Sequence, residues 1–241
     1  MITLEICTFN ATDVVRALAA GADRIELCAS YVEGGITPST GNILHAFNQV
    51  SPEKIVIMIR PRGGNFIYDD EEFKVMQQDI QQVRALGARQ IIFGIIQENG
   101  RLDIERNKKL IDAAGDMDCT LQRAFDLTRD PFETLTDAQQ IGFKRILTSG
   151  QKSTAWEGRE TIKQLIQQAG TQIEILPGAG VNRNNAAELI TYTGCTQIHT
   201  SAKRAFTEPA LFAHNPTIYN NSHMTEVWPE EVAALKKITS A

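Results

Sequence analysis

The chain has 241 residues, 42% of them hydrophobic, enough for one large core and close to the roughly 250 residues of a (β/α)8 barrel. Its 24 basic and 29 acidic residues leave a formal net charge of −5, which implies no basic surface that would hold nucleic acid non-specifically, so no nucleic-acid partner is expected. Apolar runs such as Ile91 to Ile96 are strand-sized, far below the ~20 residues a membrane helix needs, so no membrane span is expected.

In chain order, Met1 to Cys7 already has a strand pattern rather than a basic leader, so a cytoplasmic location is expected. Short β-rich runs then alternate with helix-periodic stretches: strands near 2–7, 23–28, 54–60, 89–96, 118–123, 144–148, 172–177 and 196–200, with helical patterns such as Ala11 to Ala20, Glu71 to Leu86 and Asn184 to Tyr192 between them. Eight strands are the number that closes a parallel barrel, so the fold expected is α/β, a single (β/α)8 TIM barrel over residues 1–241. Glycines at 21, 87, 142 and 194 recur just after helical stretches, where a left-handed residue ends a helix. The irregular stretch from Ala205 to Trp228 reads as a long loop, a lid or an oligomer contact, before a last helix from Pro229.

In this fold the chemistry sits at the C-terminal ends of the strands. Leu4-Glu5-Ile6-Cys7 and Ile25-Glu26-Leu27-Cys28 repeat one βα unit apart, and period-2 alternation puts each Glu and Cys on one face, the lumen if the apolar residues face the helices. Two readings stand side by side. In one, Glu5 and Glu26 pair with arginines among Arg24, Arg60, Arg62 and Arg123, and Cys7 and Cys28 are small buried hydrophobes. In the other, the two thiols are soft ligands for Cu(I), with Glu5 and Glu26 supporting them. The wide spacing of Cys7, Cys28, Cys119 and Cys195 fits reduced thiols rather than a zinc knuckle or a disulfide scaffold.

Further along, Arg60-Pro61-Arg62-Gly63-Gly64 and Arg123 offer guanidinium groups, while loops at Ser149-Gly150, Gly178-Ala179-Gly180 and Ser201 offer glycine and hydroxyl residues; together they suit a small phosphorylated or carboxylated ligand. Tight turns and internal salt bridges explain the same residues equally well. Asp126 is a candidate base, metal ligand or cap, and His199 a proton carrier or third copper ligand. His45 falls in a helix, and His214 and His223 in the irregular stretch. No nucleotide cofactor is implied.

As a set, these motifs with Glu33-Gly34-Gly35, Thr37-Pro38-Ser39, Arg123-Ala124-Phe125-Asp126, Arg145-Ile146-Leu147-Thr148-Ser149-Gly150 and Ser201-Ala202 resemble the CutC family over nearly the whole barrel. The resemblance implies a cytoplasmic (β/α)8 barrel, self-association into a homo-oligomer, and copper homeostasis with Cu(I) bound by two cysteines, here Cys7 and Cys28. The alternative is a TIM-barrel enzyme acting on a small anionic substrate. Gln122 stands where members of the family usually have histidine, and glutamine neither shuttles a proton nor binds Cu(I) as imidazole does.

Overall fold

The computed structural model describes residues 2–205 and 225–240. Strands β1 (Thr3–Thr8), β2 (Arg24–Leu27), β3 (Ile55–Met58), β4 (Gln90–Phe93), β5 (Asp118–Leu121), β6 (Arg145–Thr148), β7 (Glu174–Pro177) and β8 (Gln197–Thr200) alternate with α1 (Ala11–Ala19), α2 (Thr40–Gln49), α3 (Asp70–Ala85), α4 (Ile104–Ala114), α5 (Pro131–Ile141), α6 (Arg159–Ala169) and α7 (Ala186–Thr193). The strands run parallel in the order 7-6-5-4-3-2-1-8, a TIM barrel in which β8 returns to β1. Between β7 and β8, Gln197 Nε2 donates to Glu174 Oε2 at 2.8 Å across a seam that lacks a ladder.

Helices α1 to α5 start where side chains satisfy their first free N–H groups. Asn10 caps α1 and Ser39 caps α2, Asp130 caps α5 ahead of Pro131, and Asp69 with Glu72 forms a capping box on α3. The four glycines noted in the sequence all take positive φ, from 71° to 109°. None of the described helices is long and apolar enough to cross a membrane.

Side chains of odd and even strand positions part as alternation requires. Ile6, Ile25, Leu27, Ile57 and Phe93 join the large core between strands and helices. Cys7, Cys28, Val56, Met58, Ile92, Leu147 and Leu176 form a second cluster inside the barrel. Deeper in the lumen the residues are polar: Arg145 donates to Thr120 Oγ1 at 3.1 Å and to Gln90 Oε1 at 2.5 Å.

After β8, β9 (Lys203–Ala205) pairs antiparallel with β10 (Thr225–Val227), and α8 (Pro229–Ser240) closes the base against β1, with Lys236 Nζ 2.6 Å from Asp23 Oδ1. The remainder of the irregular stretch, with His214 and His223 and most of the expected lid or oligomer contact, lies outside the described residues.

Candidate metal centre

The two Glu-x-Cys segments do not lie level. The β1–β2 register sets Cys7 against Glu26 and Glu5 against Arg24, while β8 sets His199 against Glu5. Charged lumen groups that are far apart in sequence therefore become neighbours. Arg24 Nε is bonded to Glu5 Oε2, and Glu5 Oε1 accepts from His199 Nδ1 at 2.7 Å. The other nitrogen of that ring, Nε2, lies 3.8 Å from Glu26 Oε2. Cys7 Sγ and Cys28 Sγ are 3.9 Å apart, both reduced, at 9% and 1% exposure. Glu26 is 3% exposed, and its Oε1 has no hydrogen-bond partner.

The electrostatics follow from that placement. Burial pushes the Glu5 carboxyl upward, but the Arg24 charge and the His199 hydrogen bond outweigh it and hold Glu5 well below the usual carboxylate range. For Glu26 burial, with the Glu5 charge adding, outweighs the opposing pull of the His199 ring and raises its value. For His199 burial favours the neutral ring, yet the hydrogen bond to Glu5 and the two carboxylate charges raise its affinity for a proton. The hydrogen bond with Cys28 and burial raise Cys7 well above an ordinary thiol, and burial pushes Cys28 up to about 11. Both sulfurs are thus protonated at neutral pH until something displaces the protons.

Above the cluster opens a cavity of about 660 Å³, lined in part by Cys7, His199, Arg123, Gly180, Ser201 and Lys203. Non-glycine residues with left-handed φ stand in four of the loops at this end: Ser30 after β2, Gln151 after β6, Ala179 after β7 and Ala202 after β8. Each such conformation costs roughly 1 kcal/mol or more, and strain of this kind gathers where loops are held for a ligand.

The anion-binding candidates divide. Arg123, Gly180 and Ser201 line the cavity; Arg60, Arg62, Ser149, Gly150 and Gly178 do not. Arg60, 4% exposed, donates to the carbonyls of Glu33, Gly35 and Gly64, so it holds two loops together. Arg62 pairs with Glu72 and stacks on Tyr68 with its guanidinium carbon 5.0 Å from the ring centre. The Ser149 N–H donates to the Asp126 carboxylate at 3.0 Å, Ser149 Oγ donates to it at 3.0 Å, and Thr148 Oγ1 at 2.5 Å. Arg123 Nε also donates to Asp126, at 2.8 Å. Asp126 sits in a 3-10 turn, Arg123–Leu127, and its oxygens hold the loop after β6. Gln122 is buried, with Nε2 donating to Gly94 C=O at 3.4 Å.

Gly178 serves the site in another way. A Cβ there would stand 2.6 Å from Leu147 Cδ1 and 3.2 Å from His199 Cδ2, so glycine lets the imidazole pack against the end of β7. Gly35, φ 91°, similarly backs Cys28, whose Sγ would lie 3.1 Å from an added Cβ. Sequence reading did not single out Lys203, whose Nζ sits 3.3 Å from the centre of the Tyr31 ring beside the cavity, or Arg183, whose guanidinium pairs with Glu231 and lies over Trp228. The signal available for Lys203 was its place just beyond Ser201-Ala202.

A TIM barrel whose ligand face carries thiol, imidazole and carboxylate donors in contact is thus defined by fold and site together. Within that class the chain belongs to the CutC family, whose model matches residues 2–204. A family protein CutC of Histophilus somni (strain 2336) is 37% identical over 240 residues, 98% of each chain. Another, of Photorhabdus laumondii subsp. laumondii, is 43% identical over 204 residues, 85% of this chain and 81% of that one. A crystal structure from Streptococcus agalactiae, described as a candidate copper homeostasis protein CutC, matches with a TM-score of 0.79 at 36% identity, covering 83% of this chain and 99% of that one. Phosphoribosyl anthranilate isomerase from Thermotoga maritima, at 13% identity and TM-score 0.59, covers 100% of this chain and 99% of its own, and shares the fold alone.

Proposed function

We propose that this protein binds Cu(I) at the barrel mouth through Cys7 and Cys28, with Glu5 and Glu26 supporting them, and acts in cytoplasmic copper homeostasis. The observation that carries the reading is the 3.9 Å separation of two reduced sulfurs under an open cavity. Thiolates are the soft donors that select Cu(I), and two of them suffice for an ion that accepts low coordination. Because both thiols hold their protons at neutral pH, binding releases them and strengthens as pH rises. The copper role attached to the Streptococcus agalactiae protein supports the same reading. Self-association into a homo-oligomer belongs to this proposal through the family likeness.

The test is anaerobic Cu(I) titration against a competing chelator, with Cys7→Ser and Cys28→Ser variants checked for folding. One tightly bound ion per chain, lost in either variant, is the expected result. Weak binding unchanged by both substitutions removes copper from the account. It then favours a second reading, an enzyme for a small phosphorylated or carboxylated substrate, which rests on the cationic rim that Arg123 and Lys203 give the cavity.

A further inference from the structure

We infer that the barrel mouth also forms a site for a divalent cation of the zinc class, held by Cys7 Sγ, His199 Nε2 and the Glu26 carboxylate, with Cys28 outside the donor set. The ligand atoms of these three residues lie within 4.8 Å of one another. They supply sulfur, nitrogen and oxygen, the mixture a borderline ion accepts; Cu(I) takes the sulfur but has little use for a carboxylate oxygen. In a tetrahedral zinc site, bond lengths of about 2.0–2.3 Å set donors roughly 3.3–3.8 Å apart. The Nε2–Oε2 separation of 3.8 Å is a few tenths of an ångström wider than the roughly 3.3–3.5 Å a nitrogen and an oxygen take on zinc, so the two side chains would draw together by that much on an ion.

Two independent features point to a ligand. Glu26 Oε1 is a buried oxygen, in a residue 3% exposed, that makes no well-formed hydrogen bond and has the Cys7 and Cys28 thiols as its neighbouring donors. His199 is also oriented as metal-binding imidazoles are. Its Nδ1 faces Glu5, a carboxylate paired with Arg24 and therefore an acceptor only, so Nδ1 keeps its proton and Nε2 is the nitrogen whose lone pair a metal would take, displacing any proton there. That lone pair is on the side of Glu26 and Cys7. Three protein ligands beneath an open cavity are the arrangement of zinc sites that keep a coordination position for a small molecule. The site shares Cys7 with the Cu(I) reading but needs His199 and Glu26 in place of Cys28, so the two readings fail separately.

The experiment uses the whole chain, reduced and stripped of metal, titrated with Zn²⁺ against a chromophoric chelator, with circular dichroism confirming the fold of each variant. One Zn²⁺ per chain is expected, weakened at least about ten-fold by His199→Ala and by Glu26→Gln, and within about two-fold of wild type in Cys28→Ser, where Cu(I) binding is lost. A loss in Cys28→Ser as large as in His199→Ala overturns the assignment, as does Zn²⁺ binding no tighter than that of Cys7→Ser. Should the variants misfold, the wild-type protein loaded with Co²⁺ decides. One sulfur-to-metal charge-transfer equivalent supports the site; two, or none, overturn it.

Discussion

At Glu26 the fold keeps a carboxylate under cover with one oxygen unpartnered, and burial, then the nearby Glu5 charge, raises its pKa. His199 is raised too, against the effect of its own burial, by Glu5 and Glu26. A group whose folded value is raised contributes stability that is present below its unfolded value and lost as pH rises through the folded one. The metal-stripped protein should therefore lose stability as pH rises above the ordinary carboxylate and imidazole values and through the raised ones of Glu26 and His199. Glu26→Gln removes the carboxylate's share, so the variant should be the more stable at pH 8 by about 1 kcal/mol, the order of cost of a buried unpaired group, with less difference at pH 5. Urea unfolding at the two pH values checks this; a wild type more stable than the variant at pH 8 contradicts it. The inward aim of Glu5, Cys7, Glu26 and Cys28 was legible from alternation alone. The tightness of the His199 packing was not, because it depends on the missing side chain of Gly178, just past the end of β7.

Among the elements, the turn Arg123–Leu127 and the loop after β6 act as one unit, since Asp126 receives donors from Thr148, Ser149 and Gln151. Asp126→Ala leaves those donors without their acceptor in a place where water enters poorly. We expect a loss of about 2–4 kcal/mol, with faster hydrogen exchange at the Ser149 amide and a milder effect for Asp126→Asn. A loss below about 0.5 kcal/mol would show the clamp to be dispensable, since surface substitutions fall in that range. Local pattern suggested a base, a ligand or a cap for Asp126. Apart from Arg123, its partners stand 22 to 25 residues away, beyond the reach of any local pattern. The helices themselves were readable because their caps and ends are set by near neighbours.

Across the whole barrel, strand count and alternation made the architecture legible, down to the polar strand positions that must meet in the lumen. Which arginine meets which carboxylate was not legible: four arginines were candidates, and the strand register alone selects Arg24 for Glu5. Arg60, Arg62 and Arg123 go elsewhere, to loop carbonyls, Glu72 and Asp126. Arg24→Met would strand the Glu5 charge in the lumen and should cost about 3–5 kcal/mol. Adding Glu5→Gln to the same chain should restore most of it, read as the midpoint of chemical unfolding. Additive losses in the double variant would mean that the pair is not coupled.

The offset between β1 and β2 has a consequence for how such a site arises. Two occurrences of one Glu-x-Cys pattern on adjacent strands form a staircase, with the second two residues up from the first, so that Glu26 stands on the step of Cys7 and Cys28 on the step above. Repetition that would give a ring of like groups in a flat sheet here brings unlike ones together. A repeated Glu-x-Cys pattern thereby yields a mixed donor set from the stagger of neighbouring strands alone.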